Sequence, residues 1–279
     1  MTVPELALVR FPGRPAPSPQ ARLVVLGPSL GTSVTSLWSG VVRRLEGDFH
    51  VLGWDLPGHG VSAPAGEPFT MAELAQGVLA ALDRHRADAD VDAMREHPFY
   101  YAGNSIGGCV GQQLLVDAPD RVRAAVLLGT AAQVGEPAGW AERARLVAAA
   151  GTPTQVVGSA QRWFGPGFIE RDAVTTTGLL HDLQDADRFS YARACEALGA
   201  FDLRERLGGV RAPVLTVAGA HDAATPPGAV GALAEAVGGR AVVLDGAAHL
   251  LPAEAPQDVA SLLAGHFTAH PADAEGARA

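Results

Sequence analysis

The sequence predicts an α/β protein, a doubly wound and mostly parallel sheet with a helical cap inserted into it, on three observations. Short apolar and β-branched runs alternate with longer stretches of helical periodicity. Each run is bounded by Gly, Pro or Asp, and one long interval holds helix-like segments but no strand-like run. Strand alternating with helix implies a sheet covered on both faces, and strands buried on both faces read as continuous apolar runs.

Taken in order, "ELALVRF" near the N-terminus predicts an edge strand and "GRPAPSPQ" (13–20) a turn. Buried parallel strands are expected at "RLVVLG" (22–27), "FHVLGWD" (49–55), "FYYAGN" (99–104), "AAVLLGT" (124–130), "PVLTVAG" (213–219) and "AVVLDG" (241–246). Helical periodicity covers about 33–46, 70–87, 106–117, 228–237 and 253–268. The segments "PAGWAERARLVAAAG" and "RFSYARACEALGAF" fall where strands are missing, so residues 131–200 are expected to form the cap. Residues 1–130 and 201–270 then form the sheet domain, and 271–279 a disordered tail.

Composition excludes several classes of function. The formal charge is −9, and all 21 basic residues are arginines scattered without a run, whereas nucleic acid demands a clustered basic face. No apolar run approaches the roughly 18 residues of a membrane span, so no membrane partner is expected. Cys109 and Cys195 are too few for a disulfide scaffold, and no signal-peptide pattern opens the chain, which reads as cytoplasmic. The two cysteines also lack metal-ligand spacing and are expected to be buried apolar fillers.

Gly103-Asn104-Ser105-Ile106-Gly107 fits G-x-S-x-G with a strand before it and a helix after it. Small residues two before and two after the serine let the strand bend sharply into the helix, leaving the Ser105 hydroxyl exposed above the sheet. The helix N-terminus supplies positive potential, and the Ile106 N–H is free to face a developing oxyanion. A dinucleotide fingerprint would need glycine at 105, and a merely structural glycine-rich turn is the other reading.

A serine hydroxyl needs a histidine base and a carboxylate to fix its tautomer, and in this kind of sheet they follow in the order serine, acid, histidine. His249, in "VVLDGAAHLLP", lies just past the last apolar strand. Asp222, in "LTVAGAHDAATPP", follows the preceding strand; Asp245 is the rival, only four residues before His249. His221 and His59 read as structural: the first adjoins Asp222, and "DLPGHG" looks like a glycine-rich turn. The second oxyanion donor should come from the loop after the first central strand, "GPSLGTSVTSLW", where the Leu30 N–H is held between Ser29 and Gly31.

With these residues in place, the chain resembles the α/β-hydrolase fold over nearly its whole length, and within it the 3-oxoadipate enol-lactonases of the β-ketoadipate pathway of aromatic degradation. The resemblance is carried by "SLGTS…LW", "GNSIGGCVGQQL", "LLGTAAQVGEPAGWAERA", "RWFGPGF", "GAHDAATPP" and "DGAAHLLPAEAP". The elbow and triad specify the superfamily; the Thr-Ala-Ala run and "RWFGPGF" are the narrower signals. Gln133 stands where many relatives are expected to have lysine, and "GPSLGT" replaces "SNSLGT".

The resemblance implies hydrolysis of a small-molecule enol lactone bearing an acetate arm, with no metal or cofactor. Ser105 would attack the ring carbonyl, His249 would take its proton, and the N–H groups of Leu30 and Ile106 would hold the oxyanion. The acetate arm needs a cationic or multiply hydrogen-bonded partner. Arg143 and Arg162 are the candidates, beside Trp140 and Trp163, whose faces could cover the ring; backbone amides or Ser29 are the alternative. Another cofactor-free hydrolase of the same fold (esterase, perhydrolase-like or C–C bond hydrolase) shares every triad argument, and a non-enzymatic small-molecule receptor is the remote reading.

Overall fold

Apolar runs separated by long helical stretches cannot pair as hairpins; each must return through a crossover, which makes neighbouring strands parallel. A computed structural model describes residues 2–12, 18, 21–45, 47–88 and 98–271. In chain order the elements are β1 (Leu8–Arg10), β2 (Arg22–Gly27), α1 (Val34–Val42), β3 (Phe49–Trp54), α2 (Met71–Asp88), β4 (Phe99–Asn104), α3 (Ile106–Asp117) and β5 (Val122–Leu128). Five helices follow, α4 (Pro137–Ala150), α5 (Val156–Trp163), α6 (Phe168–Arg171), α7 (Ala173–Asp185) and α8 (Arg188–Gly199). The chain closes with β6 (Val214–Gly219), α9 (Pro227–Ala236), β7 (Arg240–Leu244), α10 (Leu251–Glu254) and α11 (Pro256–Ala269). The turn expected at 13–20 and the tail at 271–279 lie outside the described residues, apart from Ser18 and Pro271.

The seven strands form one sheet in the order β1-β3-β2-β4-β5-β6-β7, with β1 antiparallel to β3 and every other pairing parallel. The order reverses between β2 and β4, which start their connections toward opposite edges. In open α/β sheets that reversal opens a crevice at the carboxyl ends of the strands. Every residue of β4 and β6 is buried, as their unbroken apolar runs require.

Two elements depart from the sequence expectation. The run at 241–246, expected to be a buried strand, is instead the exposed or half-exposed edge strand β7, because among the described residues only β6 pairs with it. The helix expected at 253–268 is broken at Ala255 (φ −131°, ψ 56°), because Pro256 bars the preceding residue from helical conformation and opens α11 in its place.

The cap helices α4–α8 sit on the carboxyl ends of the strands and are tied there by polar contacts. Asp182 of α7 accepts the Ser33 N–H (2.8 Å), and the Asp187 N–H, at the start of α8, donates to Gly58 O (2.8 Å). Beneath them Asp55, just past β3, accepts the Val34 N–H at 2.7 Å. Two carboxylates, one from the cap and one from the sheet, thus meet the positive N-terminal end of α1. Burial raises the Asp55 carboxyl, against the pull of the Val34 and Val61 amides and with the Asp182 charge adding to the rise. No helix among the described residues is long and apolar enough to cross a membrane.

Glycine sets the separation of β4 and α3. A Cβ on Gly103 would fall on the backbone of Gly107 and Gly108, neither of which can swing aside. Gly103→Ala should therefore cost about 3 kcal/mol, or roughly 6–12 °C in Tm. An unchanged melting temperature would mean that the corner can open.

Candidate active site

The loops that follow β2 and β4 face each other across the crevice where the strand order reverses. Ser105, between β4 and α3, has φ 54° and ψ −117°, the lone positive φ of a non-glycine among the described residues. Such a conformation costs on the order of 1–3 kcal/mol and persists only where the surroundings enforce it. Here the Ser105 N–H donates to Leu128 O (2.8 Å), the Gly107 N–H to Pro28 O (3.0 Å) and the Tyr101 hydroxyl to Gly107 O (2.7 Å). The Ser105 side chain caps no helix amide, so its hydroxyl is left to the cleft.

The loop after β2 turns through Ser29-Leu30-Gly31-Thr32, closed by the Thr32 N–H donating to Ser29 O at 3.1 Å, with Gly31 at φ 86°. A turn of this kind spends the amide of its fourth residue and needs positive φ at its third, which suits glycine. The Leu30 N–H, at the second place, is left over. So is the Ile106 N–H, first in α3, because the opening amides of a helix have no partner within it. Ser29 and Leu30 line the cleft; Ile106 does not, and its side chain is buried in the core.

Asp222, past β6, and His249, past β7, meet with Oδ2 2.8 Å from Nδ1. A carboxylate only accepts, so Nδ1 carries the proton and Nε2 keeps its lone pair. The carboxylate is fully engaged, taking the Ala224 N–H (2.8 Å) and Thr225 N–H (3.0 Å) on Oδ1 and the Thr225 hydroxyl (2.6 Å) on Oδ2. Burial alone would raise this carboxyl, but the charge and hydrogen bond of His249 and the two bonds from Thr225 outweigh it and hold it below its usual range. Asp245 is exposed on the edge of the sheet. His221 is exposed too, and His59 is buried with Nδ1 2.9 Å from Pro57 O and its ring stacked on Tyr191.

Ser105 and His249 open on one cleft of about 380 Å³ roofed by the cap. Trp140, Arg143, Arg162 and Trp163 line it together with Ser29, so all five proposed substrate contacts share the space above Ser105. The Arg143 guanidinium lies 5.1 Å from the Trp140 ring, and neither Arg143 nor Arg162 has an acidic partner within 4 Å among the described residues. Burial, and then the like charge of Arg143, lower the Arg162 guanidinium from its ordinary value, with the Tyr191 hydroxyl opposing them. Gln133 does not line the cleft. Among the described residues no three His, Cys, Asp or Glu side chains gather as metal ligands; Cys109 and Cys195 are both buried, and burial pushes each thiol up to about 12.

Four contributors are absent from the sequence reading. Asn104, inside the elbow motif, donates from Nδ2 to His249 O (3.1 Å) and so ties the serine corner to the histidine loop. A fully buried asparagine closing an apolar strand is a signal that could have found it. Thr225 holds Asp222; a threonine three residues after a turn aspartate is an ordinary capping pattern. Ser159 and Tyr191 line the cleft from α5 and α8, and only the packing of the cap brings them there.

A model of the α/β hydrolase family matches residues 24–262, and the chain belongs to that family. Within it, the chain is 34% identical over 202 residues to 3-oxoadipate enol-lactonase 2 of Acinetobacter baylyi, covering 72% of each chain. The crystal structure of the enol-lactonase from Burkholderia xenovorans LB400 superposes with a TM-score of 0.82 at 31% identity, covering 94% of this chain and 96% of that one. A thermophilic esterase from Thermogutta terrifontis has a TM-score of 0.83 at 21% identity, covering 95% and 94%, a likeness of fold alone. Family and relatives support hydrolysis as the class of activity.

The depressed Asp222 carboxyl fixes the sign of a pH effect. Its contribution to stability is fully present above the unfolded value of about 3.9 and is lost as pH falls through its lower folded value. Melting curves taken from neutral pH downwards should show Asp222→Asn less stable than wild type near pH 7 and the two converging below about pH 4. A gap that stays constant across that range would contradict the pairing with His249.

Proposed function

We propose that this protein hydrolyses 3-oxoadipate enol-lactone to 3-oxoadipate, with Ser105 as nucleophile, His249 as base and Asp222 as its orienting acid. The observation that carries the substrate is the pair of arginines in the cleft that holds Ser105 and His249, neither of which has an acidic partner within 4 Å among the described residues although Glu136 lines the same cleft. Two unneutralised cations beside an acyl-transfer site suit a substrate that brings its own carboxylate, which a guanidinium grips through two parallel N–H bonds. The enol-lactonase relatives support the same substrate.

In this reading the acetate arm lies against Arg143 or Arg162, with Trp140 or Trp163 across the ring and Ser29 at its edge. His249 Nε2 withdraws the Ser105 proton as Oγ adds to the ring carbonyl, and the resulting oxyanion takes the Leu30 and Ile106 N–H groups. Collapse breaks the ring C–O bond as His249 gives the proton it took to the departing oxygen, so that an enol leaves and His249 is neutral again; the enol tautomerises to a ketone and so leaves more readily than an ordinary alcohol. His249 then deprotonates a water that attacks the acyl-serine, returning the proton to Ser105 as the acid departs. Asp222 keeps the imidazole in the tautomer that both steps need.

Loss of enol-lactone absorbance in the ultraviolet measures the reaction directly. Ser105→Ala and His249→Ala should each abolish all but a residual rate without adding to one another, and Asp222→Asn should cost roughly 10⁴-fold through the wrong tautomer. Retention of near wild-type turnover by Asp222→Asn would remove it from the mechanism.

The arginines are separable by substrate. Ala at whichever of Arg143 and Arg162 holds the arm should lower kcat/KM for the lactone by roughly 2–5 kcal/mol, as for a broken charge pair, and leave a neutral activated ester almost untouched. Equal losses on both substrates, or on neither, would move the carboxylate to Ser29 or to backbone amides and favour an esterase.

A further inference from the structure

The loop that carries His249 is fastened to the cap as well as to the sheet. The Trp163 carbonyl, at the end of α5, accepts the N–H groups of both His249 and Leu250, each at 3.2 Å. Glu254, the last residue of α10, reaches back with a buried carboxylate: Oε1 takes the Ala248 N–H at 3.0 Å and Oε2 takes the Gly165 N–H at 2.6 Å. One side chain therefore holds the residue before His249 and the residue two beyond Trp163. The approach is close enough to demand glycine: a Cβ on Gly165 would stand 2.6 Å from Gly246 O and 3.2 Å from Glu254 Oε2.

A buried carboxylate held by backbone amides is a costly way to fasten two loops, since burial raises the Glu254 carboxyl and the Gly165, Ala248 and Leu250 amides and the His249 charge only oppose it. Its position gives the expense a use. The segment it grips continues directly from Arg162 and Trp163, which face the cleft, and the loop it grips carries His249, which lines the same cleft as Ser105. We propose that Glu254 is a positioning residue, which sets His249 against Ser105 through Ala248 and makes that placement depend on the docked α5–α6 turn through Gly165. The inference rests on the reading of Ser105, His249 and Asp222 as the triad.

The full chain, purified, tests it with an activated nitrophenyl ester as a neutral substrate and a nitrophenyl phosphonate that labels Ser105 stoichiometrically and so counts competent sites. Glu254→Gln keeps the shape but turns an N–H donor toward an N–H donor. It should lower kcat per labelled site by about 10²-fold, the scale of a small misplacement of a catalytic group, while KM stays as in wild type. The Asp222-bound proton of His249, observed by NMR, should shift or broaden. Glu254→Asp should recover part of the rate, Gly165→Ala should reproduce the loss, and the double variant of Glu254→Gln with Gly165→Ala should lose little more than either, because both act on one clasp. Where Glu254→Gln does not fold, Gly165→Ala carries the same readout. A lower melting temperature with kcat per labelled site unchanged would make Glu254 merely structural and overturn the proposal, as would fully additive losses. Ester hydrolysis that survives Ser105→Ala would instead overturn the triad and this inference with it.

Discussion

At the end of β4 the chain must turn from strand to helix within one residue, and backbone from three segments is crowded around that turn. Gly103 packs on Gly107, and Gly107 packs on Gly27 and Pro28, at separations that leave no room for a Cβ. The Trp38 indole N–H holds Gly27 O (2.9 Å) and the Tyr101 hydroxyl holds Gly107 O, so large buried side chains fix the small ones in place. Ser105 is left in a conformation that no local preference favours. The core supplies the stability that keeps it there, and the result is a hydroxyl lifted clear of the sheet with an unpaired helix amide beside it.

The rest of the site is arranged around that corner. The loop that holds the Ser29–Thr32 turn leans on α3 through Pro28, whose carbonyl accepts the Gly107 N–H. The histidine loop is anchored from both directions, by Asn104 from the elbow and by the Trp163 carbonyl from the cap. The Asn104 amide and the Trp163 carbonyl each pair with a group of another loop, so displacing one leaves an unsatisfied donor or acceptor elsewhere.

The cap gives this general apparatus its chemical bias. Its helices present arginine, tryptophan, tyrosine and serine to the cleft, and the two guanidiniums are held near one another without acidic partners. Like charges in a half-buried space repel, and that repulsion is relieved when an anion enters. On the reading proposed above, that relief favours a substrate that carries its own carboxylate.

Much of this was legible in the residues. The apolar runs and their spacing determined a parallel sheet, G-x-S-x-G marked the corner, and chain order placed an acid and a histidine after the right strands, because these are local patterns imposed by strand burial and tight backbone turns. Local patterns also misled: the run at 241–246 reads like any buried strand, but β7 stands last in the strand order of the described residues and is exposed. Chain order preferred Asp222 to Asp245, which lies only four residues before His249, and in the fold it is the Asp222 loop that reaches Nδ1. Nor could spacing reveal that Glu254 binds Gly165, 89 positions away along the chain, or that Ser159 and Tyr191 join Arg143 and Arg162 in one cleft. Such contacts join residues distant along the chain, and they exist only once the cap has docked, because its packing sets the distances that hydrogen bonds and charges act across.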